Sequence, residues 1–281
     1  MKVYIVIVTY NGMAWLAKCL ASIPKEYSVV VIDNNSSDNS VPFIEQNYRQ
    51  VQVFKETKNL GFGQANNKGM LYALENDADY VYLLNQDAYL ESNTIQGLIE
   101  IHRAHEQLGI LSPLHVNKDK TRLDRLFCKY VSYDHTQEFF SDYVLGNVKK
   151  DFYEVPFINA AGWLLPTKTL KTVGGFDPIF FHYGEDRNYA QRVLYHNFKI
   201  AVVPQVKMVH DREDRKIKQP KLHSDSYYKN LEKKIKVRFA NINSNNLNGL
   251  EHQIVKLKKA IFKDVVRLNF KSYRSRTAIL N

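Results

Sequence analysis

The chain has 281 residues, is 44% hydrophobic and 12% aromatic, and carries a formal net charge of +10. That is enough apolar material for one large or two modest globular domains, and it excludes a disordered or fibrous chain. The charge is concentrated: residues 211–281 hold 18 Lys+Arg against 7 Asp+Glu, a net of +11, and residues 1–210 a net of −1. Two cysteines, Cys19 and Cys128, supply no disulfide framework and fit a reducing compartment. The apolar run Val3 to Val8 is too short for a signal-peptide core, and no apolar span is long enough to cross a bilayer. The expectation is a cytoplasmic protein.

The first 114 residues alternate short β-branched runs with amphipathic stretches. "VYIVIV" (3–8), "YSVVVID" (27–33), "VQVF" (51–54), "ADYVYLLN" (78–85) and "LGILSPL" (108–114) read as strands. Between them, residues 12–23, 40–48, 62–76 and 93–107 have helical spacing, with Pro42 in a first helical turn. Continuous apolar strands alternating with helices predict a mainly parallel sheet covered on both faces. Ligands of such sheets bind beyond the carboxyl ends of the strands.

Residues 115–150 are polar and irregular and read as a variable excursion. Pattern returns at "FINAAGWLLP" (157–166), then in a helix over about 184–197 and strands over 198–204 and 206–210. In the tail, Leu247, Leu250, Ile254, Leu257, Ile261, Val265 and Leu268 recur at helical spacing over 247–270, with Lys256, Lys259, Lys263 and Arg267 roughly opposite. A basic amphipathic helix suits an anionic membrane surface. The same stripe equally suits packing on a catalytic core or a dimer seam. No helix-turn-helix, zinc or RNA-binding motif accompanies the charge, which argues against nucleic acid.

Six polar clusters lie at strand ends or just after them. "VTYNG" (8–12) offers donors to a nucleotide, or is an ordinary strand-to-helix cap. "VIDNNSSDNS" (31–40) places Asp33 at a strand end, where it can accept from a base or ribose; its polar run is longer than a cap requires. "NLGFGQANNKG" (59–69) has Gly61 and Gly63 ahead of a helix, a usual anion site, but it is not the dinucleotide pattern. In "LLNQDA" (83–88), the Asp87 carboxylate suits Mg²⁺ or Mn²⁺, and Asn85 suits a sugar hydroxyl. "FFHYGEDRNYAQRV" (180–193) puts Glu185 and Asp186 at a helix start, where carboxylates are stabilised in any case. His210 ends "VKMVH"; a lone strand-end histidine is more often structural, but a metal on Asp87 needs another protein ligand.

Taken in order, "VTYNG", "VIDNNSSD", "NLGFGQANNKG", "LLNQD", "AAGWLLP", "GGFDPIFFHYGEDRNYAQR" and "VVP…VH" resemble the family 2 glycosyltransferases. They are most similar to bacterial rhamnosyltransferase-like and galactosyltransferase-like members that build surface polysaccharides. The resemblance covers about residues 1–210 and implies a GT-A fold and an inverting transfer from a nucleoside diphosphate sugar. It implies donor binding by Thr9, Tyr10, Asn11, Asp33, Asn34, Gly61, Gly63, Asn67, Asn85, Gln86 and Asp87. It places Gly162, Trp163, His182 and Glu185 at the acceptor, with Trp163 in a lining loop. Asp87 matches the last Asp of a DxD motif and His210 a histidine that completes some metal sites, which implies Mn²⁺ or Mg²⁺. Asp186 matches the catalytic base. Asn85 stands where the motif has its first Asp, which bears on metal affinity. "AQRVLY" lacks the QxxRW pattern of processive relatives, so one sugar is added per binding event.

The expected organisation is therefore a GT-A α/β domain over 1–210 and a basic helical extension over 211–281. The expected partners are a UDP- or dTDP-linked sugar, a saccharide acceptor carried on a lipid, and an anionic membrane through 211–281. That places the protein peripherally on the inner face of the cell membrane, with an oligomer possible. Two alternatives stand beside this. One is a catalytically silent sugar- or partner-binding module of the same fold. The other is a sugar nucleotidyltransferase, for which "VTYNG" lacks a basic, Gly-rich triphosphate signature.

Overall fold

A computed structural model describes residues 1–212, 220–244 and 247–280. The chain forms two compact units, Met1–Arg215 and Lys216–Asn281. The first begins with β1 (Val3–Thr9), α1 (Met13–Ala21), β2 (Ser28–Asp33), α2 (Ser40–Asn47), β3 (Gln52–Lys55) and α3 (Phe62–Glu75). Next come β4 (Tyr80–Asn85), β5 (Ala88–Leu90), α4 (Thr94–Ala104) and β6 (Leu108–Val116). The chain then runs through α5 (Phe127–Tyr130), α6 (Gln137–Val144), β7 (Tyr153–Glu154), β8 (Gly162–Pro166), α7 (Thr167–Val173), α8 (Glu185–Tyr195) and β9 (Lys199–His210).

These strands form one sheet of order β3-β2-β1-β4-β8-β6-β9-β5, with β7 paired to β9. The pairs β3–β2, β2–β1 and β1–β4 are parallel, as the strand–helix alternation requires. Beyond β4 the sheet is mixed: β8 is antiparallel to β4 and β6, while β6 and β9 run parallel. The parallel half is what the sequence rhythm announces. β8 departs from it because it enters from the 115–161 segment and not through a helical crossover.

Strand alternation divides the core into two layers. Val3, Ile5 and Ile7 of β1 pack with Leu16 and Leu20 of α1, Ile44 of α2 and Leu98 of α4. Tyr4 and Val6 face the other way, toward Ala65 and Met70 of α3, Leu170 of α7 and Tyr189 of α8. Both faces of the sheet are covered, which is why its strands read as unbroken apolar runs.

Three local readings change. The strands expected over 198–204 and 206–210 are one strand, β9; its register with β6 jumps from Pro113↔Val203 to Leu114↔Lys207, absorbing Pro204, which cannot donate to a ladder. The 115–150 excursion is anchored: Phe127, Val131 and Phe139 are buried in the core. The helix expected over 247–270 stops early. In the second unit, α9 (Asp225–Phe239) and α10 (Leu247–Val266) are followed by α11 (Phe270–Leu280), and Leu268 adopts φ 54°, a left-handed residue that ends the helix. Residues 213–219, 245, 246 and 281 of the tail lie outside the described residues. Within the second unit, Asp264 pairs with Arg276, whose guanidinium lies 5.6 Å from the Tyr228 ring centroid. Leu257 and Tyr228 are buried there. Among the described residues, no helix is long and apolar enough to cross a membrane.

Candidate active site

Parallel register brings the first polar clusters to one edge. Thr9 lies beside Asp33 across β1–β2, and Val8 beside Asn85 across β1–β4. The carboxyl ends of β1, β2 and β4 thus converge, as expected of such a sheet.

Within this cluster the side chains divide between holding the loops and remaining available. The Thr9 hydroxyl donates to Gln86 Oε1 at 2.7 Å, and the Tyr10 amide donates to the same oxygen at 3.0 Å. Thr9 and Gln86 therefore lock the ends of β1 and β4 together. Asn11 takes φ 51°, which Asn tolerates, and its Oδ1 accepts from the Ser37 amide at 2.8 Å. Asn34 is buried, donating to Gly61 O at 3.2 Å and accepting from the Leu60 amide at 3.1 Å. Asn67 accepts from the Phe176 amide at 2.7 Å and donates to its carbonyl at 2.9 Å. As placed, Asn34 and Asn67 position loops, and their amides are engaged by backbone. Tyr10 is half-exposed, and Asp33 is buried with one oxygen, Oδ2, accepting from the Ser36 amide at 3.1 Å. The other oxygen, Oδ1, has no partner, nor does Asn85 Oδ1. A buried carboxylate oxygen without a donor is costly unless a ligand supplies one.

The glycines of "NLGFG" serve packing. Gly61 has φ 79°, and a Cβ there would run into the Phe181 carbonyl; Gly63 lies against Phe176 and Glu185. The close approach expected toward an anion is, in this structure, an approach to the segment that leads into α8.

Asp87 follows β4, and His210 ends β9, in register with Ala88. His210 Nε2 stands 3.4 Å from Asp87 Oδ1, with His210 buried and Asp87 one-quarter exposed. Burial raises the Asp87 carboxyl, but the His210 hydrogen bond and charge, with Arg212, outweigh it and hold the carboxyl below its usual value. A carboxylate kept ionised beside an imidazole suits a hard divalent cation. Among the described residues no cluster of three or more His, Cys, Asp or Glu could hold a metal. Asp87 and His210 would thus be the two protein ligands offered to such a cation.

Behind this pair lies a network that sequence reasoning missed. The His115 ring is buried 6.0 Å from that of His210, its Nε2 3.0 Å from Ser112 Oγ. Burial, then the charge of His210, hold His115 well below the usual histidine range. Arg212 clasps Asp124, whose Oδ1 also accepts from the Phe127 amide at 2.9 Å. Tyr130 is pushed up to about 12 by burial and then by the charge of Asp186, with Arg212, Arg187 and Asp124 also acting on it. The Tyr130 ring also packs on that of Phe157 at 5.0 Å, and Arg187 of α8 lies over the same Phe157 ring. The only hint in the sequence was "VHDR", an Arg two residues beyond His210.

At α8, Gly184 supplies a left-handed N-cap with φ 103°. Glu185 is 3% exposed and faces the core, whereas Asp186 is partly exposed. Of the pair, Asp186 is the more accessible to solvent. Its neighbour Arg187 stacks 4.1 Å over the Phe157 ring. His182 is exposed, against the Tyr183 ring.

The four residues expected at the acceptor do not share one exposure: three are buried and one is open. Trp163 is not in a loop: it lies in β8, fully buried, stacked on Phe176 at 6.3 Å and tilted on Tyr189 at 5.9 Å. Gly162 lies in the same strand, pressed against Met208 and Tyr82. Both are core positions, because β4 and β6 flank β8. His182 alone of the four is open to solvent. A cavity of about 680 Å³ lined by His135, Lys149, Phe152 and Tyr153 involves none of the expected site residues.

A model of the family described as "Glycosyl transferase family 2" matches residues 4–174. A dTDP-rhamnosyl transferase RfbF of Shigella flexneri is 24% identical over 235 residues, 77% of this chain and 71% of that protein. An N-acetylglucosaminyl-diphospho-decaprenol L-rhamnosyltransferase of Mycobacterium tuberculosis (strain CDC 1551 / Oshkosh) is 23% identical over 248 residues, 80% and 81% of the two chains. Among solved structures, S. aureus TarS 1-349 in complex with UDP-GlcNAc aligns with TM-score 0.60 at 17% identity, covering 87% of this chain and 68% of that one. GalNAc-T7 with UDP, GalNAc and Mn²⁺ aligns with TM-score 0.57 at 16% identity over 76% of this chain, which spans 44% of that one. These likenesses show a GT-A-like α/β fold.

Proposed function

The chain belongs to glycosyltransferase family 2, and on that premise we propose that it moves one sugar, with inversion, from a UDP- or dTDP-linked donor to a lipid-linked saccharide. The observation that carries this reading is the buried Asp33 carboxylate, whose Oδ1 lacks a donor beside the converging ends of β1, β2 and β4. Asp33 accepts a hydrogen bond from the base or ribose of the nucleotide, and Tyr10 covers it from the solvent side. Thr9, Gln86 and Asn34 keep that floor rigid. Asp87 and His210 would hold a divalent cation, which would supply positive charge to the departing diphosphate.

Asp186 acts as general base. Its carboxylate takes the proton of the acceptor hydroxyl as that oxygen bonds to C1 of the sugar; the bond from C1 to the diphosphate oxygen breaks, and the nucleoside diphosphate leaves with that electron pair. A single displacement inverts C1 and needs no covalent intermediate. Glu185 is buried beneath and supports the helix start, while exposed His182 flanks the acceptor.

The named activities of the two curated relatives support a dTDP-linked donor and a polyprenyl-diphosphate acceptor; the UDP-GlcNAc bound to TarS keeps UDP in play. The lipid acceptor and the basic tail together support a peripheral position on the inner membrane face. The test is a thermal-shift screen of UDP-, dTDP- and GDP-sugars with and without Mn²⁺. Metal-dependent stabilisation by one uridine or thymidine class is expected. Stabilisation by none of them overturns the reading.

A further inference from the structure

Part of the apolar stripe foreseen in the tail is covered within the second unit, while its members Val265 and Leu268 are exposed. Leu257 and Asp264 of α10 are buried, Asp264 held by Arg276 of α11, and Leu250, Ile254 and Ile261 are partly covered. Further apolar side chains, outside that stripe, are exposed as well. Val255, Phe262 and Val266 share one face of α10 at spacings of seven and four, and that face points away from Leu257 and Asp264. Phe262 is 69% exposed and Val266 67%. At the break between the helices, Leu268 is 72% and Phe270 65% exposed. A soluble surface rarely groups so many large apolar side chains.

The charged side chains around them on α10 and α11 are mainly cationic, with Lys271 paired to Asp225 of α9. Lys256, Lys258, Lys259, Lys263, Arg267 and Arg274 are all exposed. Between His252 and Leu280 the only acidic residue is Asp264, buried and paired. Two copies meeting through this face would oppose two such sets of cations, six a side, against few acids, of which Asp225 is already paired with Lys271. An anionic bilayer meets both features at once: its headgroups match the cations, and its acyl boundary takes the apolar tips.

We propose that the turn between α10 and α11 is a membrane-docking wedge, in which Phe262, Val266, Leu268 and Phe270 enter the acyl boundary of an anionic bilayer while the flanking Lys and Arg engage its headgroups. This deepens the membrane location proposed above and rests on it. The wedge differs from the stripe visible in the sequence. The covered members of that stripe lie within the unit; the wedge joins its exposed end, Leu268, to Phe262, Val266 and Phe270, which the stripe does not include.

The experiment is flotation of the full chain with phosphatidylcholine vesicles, with and without phosphatidylglycerol. Wild type floats with the anionic vesicles. The Phe262→Ser, Leu268→Ser, Phe270→Ser triple variant loses ~tenfold or more of that binding, and Lys259→Glu with Lys263→Glu loses the preference for phosphatidylglycerol. Equal flotation of the triple variant overturns the proposal, as does a wild type that fails to float. A triple variant that turns a dimer into a monomer in sedimentation velocity, with vesicle binding intact, assigns the face to a second copy and overturns it too. A Phe262→Trp variant guards against misfolding: quenching of its added fluorescence by brominated lipid is expected, and unchanged fluorescence overturns the wedge. Nucleotide-induced thermal stabilisation, which tests the glycosyltransferase reading, is measured on the same samples and is expected to be unaffected.

Discussion

Arg212 grips Asp124 through two nitrogens, Nε donating to Oδ2 at 2.8 Å and a terminal nitrogen pairing with Oδ1. The pair fastens the 115–150 excursion to the end of β9, two residues beyond His210. Asp124 is 5% exposed, so its charge depends on that cation. Arg212→Ala should cost on the order of 3 kcal/mol, because it leaves a buried carboxylate with only amide donors. Arg212→Lys should restore part of it, since an ammonium cannot match the fork. Urea unfolding measures both; an unchanged midpoint in Arg212→Ala would show that the clasp contributes nothing.

The same pair sets a pH dependence. Burial raises the Asp124 carboxyl, and the Arg212 hydrogen bond and charge outweigh it, so the folded value lies below the unfolded one. Such a group stabilises the fold fully above the ordinary carboxylate value of about 4, and the contribution fades as pH falls through the lowered value. The stability gap between wild type and Arg212→Ala should therefore be constant at neutral pH and close in acid. A gap that widens in acid contradicts the assignment.

His210 and Asp87 should separate in their effect on metal. Asp87→Asn should abolish Mn²⁺-dependent stabilisation by UDP or dTDP, and His210→Ala should weaken it. The ligand-free melting temperature of each variant provides the baseline, since His210 is buried and its truncation costs stability by itself. Full Mn²⁺ dependence in His210→Ala would remove it from the ligand set.

Asp186→Asn should lower transfer by roughly 10²–10⁴-fold while nucleotide stabilisation persists. Glu185→Gln, at a position 3% exposed, should affect turnover less. Equal turnover in Asp186→Asn and wild type would move the base elsewhere; no turnover in wild type would favour a silent binding module.

Gly61→Ala should destabilise by about 1–3 kcal/mol, since φ 79° is strained for any side chain and the Cβ would meet the Phe181 carbonyl. The displaced segment leads to His182 and Asp186, so kcat should fall more than nucleotide affinity. Trp163 offers the converse test. Trp163→Ala should cost about 3–5 kcal/mol as a core truncation, whereas Trp163→Phe should leave the acceptor KM unchanged. A raised KM in Trp163→Phe would return the ring to the acceptor site.

The sequence by itself determined the elements of the first 114 residues other than β5, and the parallel half of the sheet, because period and apolar continuity are local properties that burial on both faces imposes; the three residues of β5 owe their strand to pairing with the distant β9. It also determined which strand ends carry Asp33, Asn85, Asp87 and His210, since position along a strand is local. What a side chain touches is not local. Only the tertiary structure decided that Asn34, Asn67 and Gln86 bind backbone and loops, that Trp163 and Gly162 are enclosed between β4 and β6, and that Glu185 turns inward while Asp186 does not. Only the fold brought Asp124, inside a stretch without periodicity, onto Arg212, some 90 residues away. In the tail, spacing revealed the apolar stripe of α10, but packing of α10 against α11 chose which apolar residues were buried and left Phe262, Leu268 and Phe270 outside.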